Sequence, residues 1–318
     1  MSTSAEIVRV DDLVKDVRPG FGLRKKRVLD GISFRVRERE IFGFIGPNGA
    51  GKTTTLNVLM GLIRATSGKA SILGHDVSET PFRRQIGFLP EQPYFYDYLT
   101  GCEILRFYAK LSDISRRCRE RRVTELLELV GLSAAGNTRL RSYSKGMLQR
   151  IGVAQALIHD PQVVFLDEPM SGLDPVGRKE VRDIILRLRT EGKTVFMNTH
   201  ILSDVEMLCD RVAIIVNGKI RYEGAIDAFL HAGEPETDLV FANLPAETAT
   251  RLEERFGAQL RGHGDRIELR IAEKDSSEAL RVALDAGADV ISVTPHRVSL
   301  ESIFLSTVNE ANTEEGSR

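Results

Sequence analysis

The run Gly46-Pro47-Asn48-Gly49-Ala50-Gly51-Lys52-Thr53 fits the spacing GxxxxGK[ST]. Glycines at these positions let successive backbone N–H groups turn inward toward phosphate oxygens. An ammonium at Lys52 can then reach β- and γ-phosphates, and the Thr53 hydroxyl, with Thr54 beside it, can ligate Mg2+. A second constellation is the apolar run Val163-Val164-Phe165-Leu166, which ends in two acids, Asp167 and Glu168. Asp167 is suited to hold Mg2+ directly or through water. Glu168, one residue on, points to a different face and can polarise an attacking water. The chemistry these residue types share is transfer of a phosphoryl group to water. No Ser-His-Asp or Cys-His set competes for it.

Such chemistry needs a strand in front of the loop and a helix behind it. Ile41–Ile45 is a compact apolar strand that runs into glycine, and residues 52–62 read as a helix with Leu56, Leu59, Met60 and Ile63 on one face. That helix would aim its positive dipole end at the bound phosphates. Ile32–Val36 alternates as a half-buried strand does. Val163–Leu166, Val195–Asn198 and Val212–Val216 are short, apolar and partly β-branched, as expected of strands buried on both faces of a mostly parallel sheet. Between Leu99 and Val130 the strand signals stop. Ile104, Leu105, Tyr108 and Leu111 recur at helical spacing, as do Val123, Leu126, Leu127 and Val130. This is a helical insertion of about residues 95–160 in an α/β domain of residues 5–230. Its basic block Arg116–Arg122 reads as a solvated helix face, the alternative being a contact with acidic lipid head groups or a partner.

A polar linker follows at His231–Thr237. Beyond it come a strand at Asp238–Ala242, a helix at Ala246–Phe256 and a hairpin at Gln259–Ile271 that turns at His263-Gly264-Asp265. A helix at Ser277–Ala286 and a strand at Asp289–Thr294 complete the order βαββαβ, that of a ferredoxin-like α+β domain over residues 236–310. Residues 311–318 read as a disordered tail. No internal repeat is present.

Composition limits what this arrangement can serve. The chain has 318 residues, 42% hydrophobic and 28% charged, with 44 Lys+Arg against 45 Asp+Glu. That balance belongs to a soluble globular protein of about two domains and excludes a disordered, collagen-like or coiled-coil chain. A net charge of -1 argues against nucleic acid as a partner. Cys102, Cys118 and Cys209 lack CxxC spacing and read as reduced thiols of a cytosolic protein. The apolar runs are far short of the ~20 residues that cross a bilayer, and the first ten residues lack signal-peptide features.

Taken with four further motifs, these residues resemble the nucleotide-binding subunit of an ATP-binding cassette (ABC) transporter. Ser144-Lys145-Gly146-Met147, followed by Gln149-Arg150, is similar to the family signature, most often LSGGQ followed by QR. Tyr143 stands in place of its Leu, Lys145 of its first Gly and Met147 of its Gln, a form frequent in the export branch. Ser171-Gly172-Leu173-Asp174 resembles the loop that couples two sites, and Asn198-Thr199-His200 resembles the switch histidine at a strand end. Phe21, before Gly22, sits where the family stacks an aromatic on adenine. After the strand Ile86–Leu89 the family places a glutamine that contacts Mg2+ and the coupling region. Here that position is Glu91, with Gln92 next, and either side chain can serve.

The resemblance spans about residues 5–230. It implies a P-loop NTPase fold of the ABC type, an ATPase using ATP and Mg2+, and a homodimer in which Ser144 and Gly146 complete the partner's site. It further implies permease subunits as partners and a place on the cytoplasmic face of the membrane through them. Ser299-Leu300-Glu301-Ser302-Ile303-Phe304-Leu305 resembles the close of ATPase subunits that serve drug, antibiotic, lipid or polysaccharide exporters. The alternatives are a non-transport ABC ATPase of the translation or DNA-repair type, an importer ATPase, and a nucleotide sensor without turnover. A single cassette without a long coiled coil argues against the first, and Glu168 argues against the last.

Overall fold

The computed structural model describes residues 5–18, 25–230, 236–263 and 266–296, together with Leu300, Glu301, Phe304, Leu305, Thr307, Val308 and Ala311. The chain divides into a first unit, residues 1–226 together with 306–318, and a second unit, Asp227–Leu305.

In the first unit, β1 (Glu6–Val17) and β2 (Lys26–Arg37) form a long antiparallel ribbon. Then come β3 (Ile41–Ile45), α1 (Lys52–Leu59), β4 (Ser67–Ile72), β5 (His75–Asp76) and β6 (Ile86–Leu89). The helical insertion supplies α2 (Gly101–Leu111), α3 (Arg116–Leu129) and α4 (Lys145–Ala156). The chain returns through β7 (Val163–Asp167), α5 (Pro175–Thr190), β8 (Thr194–Thr199), α6 (Leu202–Leu208), β9 (Arg211–Val216) and β10 (Lys219–Ala225), and α7 (Ile226–Leu230) leads across the boundary into the second unit. Two sheets result. One is antiparallel, in the order β2-β1-β4-β5, and the other runs β10-β9-β3-β8-β7-β6 and is parallel except at β10. Between the sheets lie Phe34, Phe42, Phe44, Phe165 and Phe196, all buried, with ring centroids 5.3–6.1 Å apart where they meet. Aromatic pairs of this geometry add about 0.5–1.5 kcal/mol each beyond their buried area. They fix the strands whose C-terminal ends carry the site.

The sequence reading runs α1 too far. The helix stops at Leu59 because Gly61, at φ 66, turns the chain left-handed while the Gly61 and Leu62 N–H groups satisfy the last carbonyls. Ile63 therefore lies beyond the helix, partly buried against the core. Leu111, which shares the helical spacing of Ile104, Leu105 and Tyr108, ends α2 64% exposed. The basic block forms the first half of α3. Arg122 is half-buried and donates to the Leu157 and Ile158 carbonyls at the end of α4, so part of the block fastens two helices together.

The second unit contains β11 (Glu236–Ala242), α8 (Ala246–Phe256), β12 (Gln259–His263), β13 (Arg266–Ala272), α9 (Glu273–Asp285) and β14 (Asp289–His296). Its antiparallel sheet, β12-β13-β11-β14, is the ferredoxin-like arrangement, with the two split βαβ crossovers interleaved. It packs its own core of Leu239, Phe241, Leu252, Leu269, Ile271 and Ala279. Residues 231–235 of the linker, the turn at 264–265 and residues 312–318 of the tail lie outside the described residues. Ala311, which the sequence reading puts in the tail, is 1% exposed.

Candidate active site

Strand register brings the chemical groups together. Ile45 pairs with Thr199 and with Ile214, and Asp167 pairs with Asn198, so β3, β7 and β8 end level. Ligand sites in open parallel sheets lie at these carboxyl ends. At Gly46 a Cβ would lie 2.2 Å from the Ile215 carbonyl oxygen, so only glycine lets the loop leave β3 this close to β9. At Gly51, φ is 111 and a Cβ would strike Leu29. Gly51 caps α1 without a side-chain bond and no acid occupies the first turn, which leaves the helix N-terminus electropositive. Ala50 packs into the core instead of facing the cavity.

Lys52 is 7% exposed, with Nζ donating to the Gly46 carbonyl at 2.7 Å and the Pro47 carbonyl at 3.3 Å. Burial lowers its pKa, and the charges of Glu168, Asp167 and Glu91 pull it back up. Asp167 is 4% exposed and accepts from Asn198 Nδ2 at 2.5 Å. Burial pushes its pKa up to about 6, aided by the neighbouring negative charges of Glu168 and Glu91 and opposed by the Asn198 bond and Lys52. Glu168 follows at φ 49, a left-handed kink held by its N–H donating to the Asn198 carbonyl at 2.8 Å. The kink turns it away from the Asp167 direction, and its Oε2 lies 2.8 Å from His200 Nδ1. His200 is half exposed, so the pair sits at the edge of the site.

A cavity of ≈ 450 Å³ joins Asn48, Gly49 and Gly51 of the loop to Lys52, Thr53 and Thr54, and to Glu91, Glu168 and His200 across from them. Glu91 lines it, while Gln92 is exposed and does not. Val17, Lys26 and Val28 form a further wall that sequence reasoning missed, because only the β1–β2 pairing brings it there. The role of Asn198 as the Asp167 partner follows from the β7–β8 register, which the motif Asn198-Thr199-His200 does not announce. Phe21 lies outside the described residues.

Ser144, Gly146 and Asp174 stand elsewhere in the same unit. They line a separate cavity of ≈ 310 Å³ with Lys145, Arg150 and Gly172. The Ser144 hydroxyl accepts from the Met147 N–H at 3.2 Å and caps α4 at its start. Asp174 caps α5 by accepting from the Gly177 N–H at 2.8 Å. Two helix N-termini thus face one cavity, apart from the one that holds Lys52.

Residues 29–171 match the family described as ABC transporter. An uncharacterized ABC transporter ATP-binding protein of Nostoc sp. is 42% identical over 310 residues, 96% of this chain and 91% of that protein. The Doxorubicin resistance ATP-binding protein DrrA of Mycobacterium tuberculosis is 34% identical, covering 95% of this chain and 96% of that one. Among solved structures, an ATP binding subunit of an ABC transporter superposes with TM-score 0.62 at 32% identity, over 71% of this chain and 92% of the other.

Proposed function

Because the chain belongs to the ABC transporter family as an ATP-binding, ATP-hydrolysing subunit, we propose that it powers export through separately encoded permease subunits, by ATP-driven pairing of two copies. The observation that carries the chemistry is the convergence of Lys52, Asp167 and the Glu168–His200 pair at the level ends of three parallel strands. ATP lies along the loop, its phosphates facing the backbone of Gly49 and Gly51 and the start of α1. A phosphate oxygen takes the Lys52 ammonium from the Gly46 and Pro47 carbonyls, where the charge is buried and poorly neutralised. Glu168 accepts a proton from the attacking water, and His200 orients the Glu168 carboxylate from its other side.

The donor set fits Mg2+. Among the described residues no cluster of three or more His, Cys, Asp or Glu exists that could hold a metal alone. Mg2+ is commonly held by one or two carboxylates with substrate phosphates and waters. Thr53 and Asp167 would hold it, with Glu91 reaching the same space, and Asp167, its pKa raised by burial and by the charges of Glu168 and Glu91, is a carboxylate whose charge a bound cation would compensate. When bound, the ion would neutralise charge developing on the phosphates.

Export is supported by the likeness to a protein named for doxorubicin resistance and by the form of the Ser144 motif. Permease docking is supported by exposed side chains that continue from Glu91, namely Tyr94, Tyr96, Tyr98, Phe107 and Leu111, between 40% and 96% exposed. No helix among the described residues is long and apolar enough to cross a membrane, so the pathway for cargo would belong to the partner. Residues 236–310 serve as an accessory domain of this subunit.

The test is Glu168→Gln in the full chain. The amide keeps the shape and cannot take a proton, so ATP binding is expected to persist while turnover falls about 10²–10⁴-fold, and ATP-bound dimer accumulates on gel filtration. Wild-type turnover in this variant would remove Glu168 from the mechanism.

A further inference from the structure

Lys26 opens β2 and lines the same cavity as Lys52. Side chains two apart on a strand share a face, so Lys26 and Val28 point the same way. Val17 stands directly across from Lys26 on β1, and all three line the cavity of ≈ 450 Å³. Arg27, between Lys26 and Val28, turns to the other face and pairs with Asp16 and with Asp30, each at 3.0 Å. Among the described residues Lys26 has no ion pair. The strand thus neutralises the cation that points away from the cavity and leaves free the one that points into it.

The charge of the site gives that free cation a use. Glu91 and Glu168 line the cavity beside Lys52, and Asp167 lies next to Glu168 at the end of β7. Three carboxylates against the Lys52 ammonium leave the γ-phosphate end with an excess of negative side-chain charge. A nucleoside triphosphate is an anion, and one Mg2+ offsets only part of its charge. The acids follow β6 and β7 of the parallel sheet, whereas Lys26 belongs to the antiparallel β1–β2 ribbon. The distance along β2 is short. A Cβ at Gly51 would lie 3.1 Å from the Val28 carbonyl oxygen, so Val28 stands beside the phosphate loop. Two residues of strand span about 7 Å, and the flexible four-carbon stem of a lysine can bring its ammonium back over that length.

We infer that Lys26 is a nucleotide-binding residue: its ammonium pairs with the α-phosphate of ATP, the phosphate nearest the nucleoside, while Val17 and Val28 offer an apolar wall beside it. The inference rests on the reading of this cavity as the ATP site. Lys52 serves the β- and γ-phosphates from the loop, and Lys26 serves the other end of the chain from the ribbon. The α-phosphate keeps its charge and its bonds while the γ-phosphoryl group is transferred. Lys26 therefore stabilises bound ATP and the transition state alike, which sets KM and leaves kcat alone.

The experiment measures steady-state ATPase kinetics, ADP affinity by calorimetry and thermal unfolding for the full chain and for Lys26→Met, Lys26→Arg, Lys26→Gln and Lys52→Ala. Methionine keeps an unbranched apolar stem and removes the charge. For Lys26→Met, KM for ATP and Kd for ADP are expected to rise about 5–10-fold, as loss of one partly exposed charge-assisted hydrogen bond does. The value of kcat is expected to stay within about twofold, the pattern of a contact made equally in ground and transition states. Lys26→Arg keeps the charge and is expected to hold both constants within about threefold of wild type. Added salt screens exposed charges, so it is expected to weaken ADP binding more in wild type than in Lys26→Met. With 2′-deoxy-ATP and 3′-deoxy-ATP the ratio of KM between Lys26→Met and wild type is expected to match that for ATP. A ratio near one with either would assign the ammonium to a ribose hydroxyl and overturn the inference. Unchanged KM and ADP affinity in Lys26→Met, a loss confined to kcat, or an equal loss in Lys26→Arg overturns it as well. Unchanged ADP affinity in Lys52→Ala would instead overturn the reading of the cavity. If Lys26→Met gives no cooperative melt, Lys26→Gln carries the same measurements, and unchanged constants there overturn the inference equally.

Discussion

At Asp167, burial and function act against each other. The carboxylate is 4% exposed, has one polar partner in Asn198, and its pKa is raised to about 6 from 3.8. Between those values the folded state binds more protons than the unfolded one, so stability is lost as pH rises from about 4 to about 6 and stays lower above that. The shift corresponds to about 3 kcal/mol. In nucleotide- and metal-free protein, Asp167→Asn keeps an acceptor for Asn198 and removes the titration. Urea unfolding is expected to find the two proteins similar near pH 4 and the variant more stable near pH 7. Equal pH profiles would show that Asp167 is as well solvated folded as unfolded. Lys52, Thr53, Asp167 and Glu168 were legible in the sequence because loop chemistry and strand ends put them in short, ordered runs. Lys26 and the Asn198–Asp167 bond were not, because strand pairing between residues far apart in sequence assembles them and no local pattern announces strand register.

Elements were legible where one face is apolar and the ends are marked. The α2 start is such a case: Thr100 Oγ1 accepts from the Glu103 N–H at 3.2 Å, and Glu103 Oε2 accepts from the Thr100 N–H at 2.8 Å. This reciprocal pair satisfies two backbone donors, and it holds the Glu103 pKa below the usual carboxylate range. Thr100→Ala is expected to cost about 1 kcal/mol in urea unfolding while leaving ATP affinity unchanged. A loss of ATP affinity would mean that the insertion reaches into the nucleotide cavity. The same helix shows where pattern misleads. Leu111 keeps helical spacing and yet ends α2 in solvent, because spacing defines a stripe and not how far along the helix the core extends. Likewise α1 ends early at a glycine whose left-handed φ is set by the turn, and nothing in the apolar periodicity signals it.

At the scale of the whole molecule, the βαββαβ order was readable because each of its elements is short and amphipathic. Its separate core predicts that residues 236–305 expressed alone unfold cooperatively, if marginally for so small a domain; a gradual melt would show that they need the first unit. The largest question is where Ser144 works. It lines one cavity with Asp174, and Lys52 lines another with Glu168. A helix N-terminus aimed at a γ-phosphate can act only from outside the loop that cradles that phosphate. With the two cavities apart in one chain, the arrangement that uses both is a pair of chains, each offering its Ser144 end to the ATP held by the other's Lys52. Mixing two broken variants tests this. Lys52→Ala lacks the charge that holds phosphate, Ser144→Arg blocks the α4 N-terminus, and each alone is expected to be inactive. In a mixed dimer the trans arrangement unites an intact Lys52 from one chain with an intact Ser144 from the other, which restores one site beside a doubly broken one. In a cis arrangement every site stays broken. With differently tagged chains and saturating Mg-ATP, the mixture is expected to regain ATP-dependent dimer that neither variant forms alone. No dimer above the level of the separate variants would place Ser144 and Lys52 in one chain's own site, and α4 would then have to swing toward the loop within its own subunit.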